Sequence, residues 1–206
     1  MQSSDGTVHI VDDDAELREY VRWVVQKAGL EARVYEDAAA FLAAYVDDGP
    51  GCVVTDLYMP GMTGLELQRE LAARGVRLPL IMMSAQGEID TAVQAMRDGA
   101  IDFIEKPFAP ERLLERVRGA LAADAAARQG DVERERVAAR FARLTPRQRA
   151  VLDGLIEGKP SKIIAADLGL SPRTVDVHRF RIMHVLGAES LPDLFRLVVL
   201  VRGSKE

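Results

Sequence analysis

Along the first 120 or so residues the apolar positions switch repeatedly between two periods. Short apolar runs at 7–11, 32–35, 53–56, 78–83 and 102–105 have the length and the Val/Ile/Thr bias of strands. Between them, apolar residues recur at helical spacing. Leu17, Val21, Val24, Val25 and Ala28 form one such stripe, closed by Gly29. Further helices are predicted at 38–46 (Phe41, Leu42 and Tyr45 inward), 65–73, 89–97 (closed by Gly99) and 110–123 (Leu113, Leu114, Val117 and Leu121 inward). Pro79 falls near the start of the fourth strand, where a missing N–H does least harm.

The pattern then changes. Over 123–143 Ala and Arg dominate, and Val132, Val137 and Phe141, with Leu144 just beyond, leave only a thin apolar stripe. This predicts a helical linker, broken or bent at Gly130. From Leu144 on, only short helices are predicted. Thr145-Pro146 starts the first, which Gly158 stops. Ser161 caps the second, closed by Gly169. Ser171-Pro172 starts the third, closed by Gly187, and Ser190 opens the fourth. The tight turn at Gly169 is the signature of a helix-turn-helix.

Five alternations of strand and helix predict an α/β fold, a five-stranded doubly wound parallel sheet with helices on both faces. An all-α four-helix domain follows the linker. The domain reading is 6–122, 123–143 and 144–206.

Composition sharpens this. Of 206 residues, 48% are apolar, enough to bury a core, and no apolar run approaches a membrane span. The opening residues are polar and lack the apolar core of a signal peptide. Cys52 is the only cysteine, so no internal disulfide can form, and a reducing, cytoplasmic setting is expected. Residues 1–121 hold 12 Lys/Arg against 21 Asp/Glu, a balance of −9, whereas 122–206 hold 15 against 11, a balance of +4. The basic part is the candidate for nucleic acid.

The chemistry lies at strand ends. Asp12 and Asp13 follow the first strand, Asp56 ends the third, Ser84 ends the fourth, and Lys106 follows the fifth. In a parallel sheet these ends share one edge, where ligands of open α/β sheets bind. Three crowded carboxylates call for a shared cation. A hard divalent ion with oxygen ligands, Mg²⁺, answers that. A Ser hydroxyl and a Lys ammonium beside them suit the oxygens of a transferred phosphoryl group, with a carboxylate as nucleophile.

These residues resemble the receiver domain of two-component response regulators. The matching pieces are Val11-Asp12-Asp13-Asp14, Asp56-Leu57-Tyr58-Met59-Pro60 with Gly64, Met83-Ser84-Ala85 and Lys106-Pro107-Phe108. The resemblance, over about 6–122, implies a flavodoxin-like fold with Asp56 as phospho-acceptor. It implies Asp13 as a direct Mg²⁺ ligand, Asp12 as a ligand mainly through water, and the Tyr58 carbonyl as another. Ser84 and Lys106 would hold phosphoryl oxygens, Phe103 would swing when Ser84 moves, and the Lys106–Pro107 peptide would be cis. Tyr58 and Gln86 flank the site where the family varies.

Leu144-Thr145-Pro146-Arg147, Gly158-Lys159, Ser161-Lys162-Ile163-Ile164-Ala165, Leu168, Ser171-Pro172-Arg173-Thr174-Val175, Val177-His178 and Leu186 resemble the LuxR-type helix-turn-helix. Ser161 stands where that family usually has Asn. In the third helix, Val175, Ile182 and Leu186 face the core, while Thr174, Val177 and Arg181 share a face suited to the major groove. Lys162, Arg173 and Arg179 are better placed for phosphates. His178 is expected to bond within its own domain. Phe180, between two arginines, has two readings: packing on the linker or receiver, or apolar contact with thymine methyls.

The combined order resembles FixJ/NarL-type regulators, the receiver being closest to the FixJ type. The resemblance implies a phosphorylation-controlled transcription factor with Mg²⁺ and no catalysis beyond its own phosphorylation and dephosphorylation. Its partners would be a sensor histidine kinase, double-stranded promoter DNA and RNA polymerase. Phosphorylation would form a homodimer through the face of the fourth helix, fifth strand and fifth helix. Two rival readings are weighed against it. Asp12-Asp13-Asp14 also satisfies the Asp-x-Asp pattern of haloacid-dehalogenase-like phosphatases, but that reading leaves Asp56-Leu57-Tyr58-Met59-Pro60 unexplained. A protein–protein adaptor that binds no DNA is the other.

Overall fold

The structure, a computed structural model, describes residues 6–85 and 102–203. The predicted fourth helix (89–97) and Gln86 lie outside the described residues. The chain divides into two compact units, 1–128 and 129–206.

In the first unit, strands β1 (Thr7–Val11), β2 (Glu31–Tyr35), β3 (Gly51–Asp56), β4 (Leu80–Ser84) and β5 (Asp102–Glu105) form one sheet. All are parallel, in the order β2-β1-β3-β4-β5. Period-two alternation divides the core. Val8, Ile10, Cys52, Val54, Ile81, Met83 and Ile104 face helix α1 (Ala15–Lys27) and the start of α4 (Pro110–Ala142). Val53, Leu80 and Met82 face α2 (Ala38–Ala44) and α3 (Gly64–Ala73), meeting Phe41, Leu67 and Leu71. A sheet buried on both faces explains why its strands read as continuous apolar runs. The order reverses between β1 and β3, so a crevice opens at their carboxyl ends.

Local chemistry starts and ends these helices. The Asp14 carboxylate caps α1, accepting from the N–H groups of Glu16 and Leu17. Thr63 and Glu66 form a reciprocal capping box on α3. Gly64 passes so close to β3 that a Cβ there would lie 2.5 Å from the Asp56 carbonyl oxygen.

The linker differs from expectation. Instead of a helix ending near Ala123 and a break at Gly130, α4 runs unbroken for 33 residues. One helical Gly costs about 1 kcal/mol against Ala. Ala, Arg and Glu on both sides are good helix formers, and the pairs Arg128–Asp124, Arg134–Asp131 and Arg136–Glu133 tie successive turns. That is enough to carry the helix through.

The second unit holds the last turns of α4 with α5 (Pro146–Ile156), α6 (Ser161–Leu168), α7 (Pro172–Leu186) and α8 (Leu191–Arg202). Val151, Leu152, Ile164, Val175, Ile182, Leu186 and Leu194 make its core. Val137 of α4 is fully buried, Arg134 donates to the Leu200 carbonyl, and Arg140 donates to the Leu186 carbonyl. Thr145 and Gln148 cap α5 reciprocally. Ser161 does not cap α6, contrary to expectation. Pro160 occupies the N-cap position, and the Ser161 hydroxyl donates to the Asp176 carboxylate of α7 at 2.8 Å. The hydroxyl thus ties the two helices of the motif together. Between them Gly169 takes a left-handed conformation (φ 64°), which a residue with a Cβ adopts only at a cost.

Candidate functional site

The crevice at the carboxyl ends of β1 and β3 holds the acidic group. Asp12, the residue after β1, is fully buried, and Asp56 is the last residue of β3. One carboxylate oxygen each of Asp12, Asp13 and Asp56 lies within 4.8 Å of the others. Asp13 is exposed and Asp56 half-buried, so the cluster opens to solvent.

Several groups hold Asp12 in place. Its Oδ1 accepts the Asp14 N–H at 2.8 Å, and its backbone carbonyl accepts from the Arg18 guanidinium. Burial raises its carboxyl above the ordinary range, while the Lys106 ammonium and the Asp14 N–H pull it down. Lys106 Nζ donates to Asp56 Oδ1 at 2.8 Å and reaches Asp12 Oδ2 at 3.4 Å. Three carboxylates and one ammonium leave a formal charge of −2 among oxygen donors, which fits a hard divalent cation.

Lys106 is itself fixed by its backbone. Its N–H donates to the Ser84 carbonyl at 2.7 Å, and the Lys106–Pro107 peptide is cis, as expected. Ser84 is buried at the end of β4, but its hydroxyl donates to the Ala85 carbonyl at 3.0 Å. It is thus at the right edge of the sheet with its proton directed elsewhere. Phe103 is half-buried against the α2–α3 side of the core, and the Tyr58 ring is exposed just beyond Asp56. The structure therefore gathers Asp12, Asp13, Asp56 and Lys106, and leaves Ser84, Phe103 and Tyr58 at the margin. Arg18 was not singled out from the sequence. Nothing in the helical pattern separates it from the other charged residues of α1.

In the second unit α7 sorts its residues as the periodicity predicts. Val175, Ile182 and Leu186 are buried, while Arg173, Val177 and Arg181 are exposed. Thr174 is half-buried and its hydroxyl is bonded to that of the cap residue Ser171. Arg179 is half-buried, nearer the core. Lys162 is exposed on α6. Among the described residues none of Lys162, Arg173, Arg179 and Arg181 makes an ion pair, whereas nearby Lys159 is held by Glu157 and Asp167. His178 is half-buried, and its Nδ1 is buried without a hydrogen-bond partner among the described residues, so the bond expected within its domain is not made at that atom. Phe180 is 75% exposed. Among the described residues no helix is long and apolar enough to cross a membrane.

Comparison with known proteins agrees with both units. Residues 8–118 match the response regulator receiver domain, and residues 142–198 match the luxR family of bacterial regulatory proteins. The transcriptional regulatory protein FixJ of Azorhizobium caulinodans is 44% identical over 193 residues, covering 94% of this chain and 92% of that protein. The solved structure of the response regulator StyR superposes with a TM-score of 0.81 at 39% identity, covering 94% of this chain and 98% of that one. Full-length FixJ from B. japonicum does so with a TM-score of 0.61 at 37% identity, covering 96% and 98%. With a receiver matched over more than half its length and a luxR-type regulatory domain behind it, the chain belongs to the response regulator family of FixJ-like transcription regulators.

Proposed function

We propose that Asp56 is the residue through which this response regulator is controlled, accepting a phosphoryl group from the phosphohistidine of a sensor kinase. The observation that carries this is the gathering of Asp12, Asp13 and Asp56 around one point with Lys106 on Asp56. An Asp56 oxygen attacks phosphorus as the P–N bond to the kinase imidazole breaks, leaving an acyl phosphate. Asp12, Asp13, Asp56 and the Tyr58 carbonyl would hold Mg²⁺, which supplies positive charge to the phosphoryl oxygens. Lys106 moves its hydrogen bond from the carboxylate to a phosphoryl oxygen. The Ser84 hydroxyl turns from the Ala85 carbonyl to another, and Phe103 follows into the space it leaves. Chemistry beyond self-phosphorylation and self-dephosphorylation is not needed.

The output is binding of promoter DNA in the cytoplasm. Thr174, Val177 and Arg181 read base edges, while Lys162, Arg173 and Arg179 neutralise phosphates. Two copies joined on phosphorylation would span paired half-sites and present themselves to RNA polymerase. That those four cations make no ion pair among the described residues supports the DNA reading, since counter-charge is what a polyanion offers.

The test is labelling with acetyl phosphate and Mg²⁺. Wild type takes one label on Asp56, and Asp56→Asn takes none. A mutant that labels fully, on Asp12 or Asp14, would favour phosphatase-like chemistry instead.

A further inference from the structure

We infer that Phe180 is a specificity-determining residue of the DNA-binding helix, selecting a pyrimidine that carries a 5-methyl group, thymine, within each half-site. The inference rests on the DNA-binding reading above and deepens it.

Helix geometry places Phe180 on the reading face. At about 100° per residue, positions 173, 174, 177, 180 and 181 of α7 fall within an arc of about 120°. Val175, Ile182 and Leu186, all fully buried, fall on the opposite side. Phe180 is therefore in the same stripe as Val177, itself 44% exposed, and as Arg173 and Arg181. At 75% it is the most exposed large apolar side chain among the described residues. The last turns of α4, which bury Val137 and half-bury Phe141, leave it uncovered, so linker packing does not explain it.

The basic charge on the same helix face identifies the occupant. A protein partner could cover a phenyl ring, but Arg173 and Arg181 make no ion pair among the described residues and share its arc. Asp176 and Glu189 lie beside the ring, but along the reading face Arg173 and Arg181 stand without an ion pair among the described residues. A face carrying two such guanidinium groups and an exposed ring suits a surface that is anionic at its rim and apolar at one point inside. The major groove is such a surface: phosphates line its edges, and its apolar feature is the thymine 5-methyl group. Val177 reaches into the same groove with a shorter side chain, so the two would touch different base pairs.

The full-length protein, phosphorylated with acetyl phosphate and Mg²⁺, is used to select duplexes from a random-sequence library. Each thymine of the enriched duplex is then replaced singly by deoxyuridine, which removes only the methyl group. Binding is measured by fluorescence anisotropy for wild type, Phe180→Ala and Phe180→Leu. For wild type, loss of one methyl per half-site should weaken binding about fivefold or more, the scale of a single base contact. Phe180→Ala should be insensitive to that replacement and weaker on the thymine duplex by a similar factor. Phe180→Leu, which keeps an apolar side chain, should retain part of the discrimination. If every replacement affects wild type and Phe180→Ala equally, Phe180 reads no methyl group and the inference is overturned. A role in packing elsewhere would produce that result, because it changes affinity for all sequences alike. A library from which wild type selects nothing overturns the DNA-binding reading itself, a failure distinguishable from that of Phe180 alone.

Discussion

The Lys106 ammonium sits 2.8 Å from Oδ1 of Asp56, two residues fifty positions apart brought together by adjacent ends of a parallel sheet. Both side chains are mostly buried, Lys106 at 24% exposure and Asp56 at 16%. Removing the cation leaves three carboxylates facing one another. Lys106→Met should lower stability in metal-free buffer by about 1–3 kcal/mol in urea unfolding. Added Mg²⁺ should restore more stability to the variant than to wild type, since it neutralises the same carboxylates. Equal stability with and without the lysine would mean the pair contributes nothing.

His9 makes the fold sensitive to acid. It is buried within a ring of Tyr35, Phe41 and Tyr45, its Nδ1 3.2 Å from the Tyr35 hydroxyl. Burial, and then the Arg33 charge, push its pKa down from 6.5 to about 4, with Asp48 and Glu31 opposing. The unfolded chain thus takes up the proton first as pH falls. Its contribution to stability is full above pH 6.5, declines as pH drops toward about 4, and is constant below that. The stability difference between wild type and His9→Leu, from denaturant titrations, should shift against wild type by about 2–3 kcal/mol between pH 7.5 and 4.5. A pH-independent difference would show that His9 takes up its proton alike in the folded and unfolded states.

Two glycines should respond in opposite directions to alanine. At Gly64 a Cβ would stand 2.5 Å from the Asp56 carbonyl oxygen, so Gly64→Ala must displace the start of α3 or the end of β3. A loss of about 1–3 kcal/mol is expected, with slower acetyl phosphate labelling. Gly130 lies inside α4 with nothing within 4 Å of its Cβ position. Gly130→Ala should stabilise by about 0.5–1 kcal/mol. Thermal melts of the two variants check both signs.

Two valines of α4 separate packing from exposure. Val137 is fully buried and Val132 is 66% exposed. Val137→Ala should destabilise the second unit by about 2 kcal/mol, and Val132→Ala by less than about 0.5 kcal/mol. The comparison is made by urea unfolding of the full chain followed through the second unit. Equal costs would mean that the last turns of α4 are not part of that unit's core.

The sheet and its acidic edge were legible because two short-range regularities carry them. Alternation of periods assigns strands and helices, and a parallel sheet necessarily places the ends of its strands on one edge. Asp12, Asp56 and Lys106 could therefore be grouped from their positions after strands, without knowledge of any contact. The same holds for Val175, Ile182 and Leu186, whose spacing alone puts them on the buried side of α7. Other features depended on what each group met in three dimensions. Ser161 has the chemistry of a helix cap, yet its hydroxyl is taken by Asp176, fifteen residues away. Ser84 lies at the predicted strand end, but the nearest acceptor for its proton is the Ala85 carbonyl rather than the acidic cluster. Gly130 carries a local preference against helix that the ion pairs and helix formers around it outweigh. The need for glycine at position 64 arises from the passing Asp56 carbonyl, and Phe180 is exposed because no other element covers its ring among the described residues. Periodicity is a property of neighbours along the chain, so the sequence determines it. The partner of a hydroxyl, the cost of a Cβ and the covering of a ring depend on atoms brought near only by folding, and these the tertiary structure alone decided.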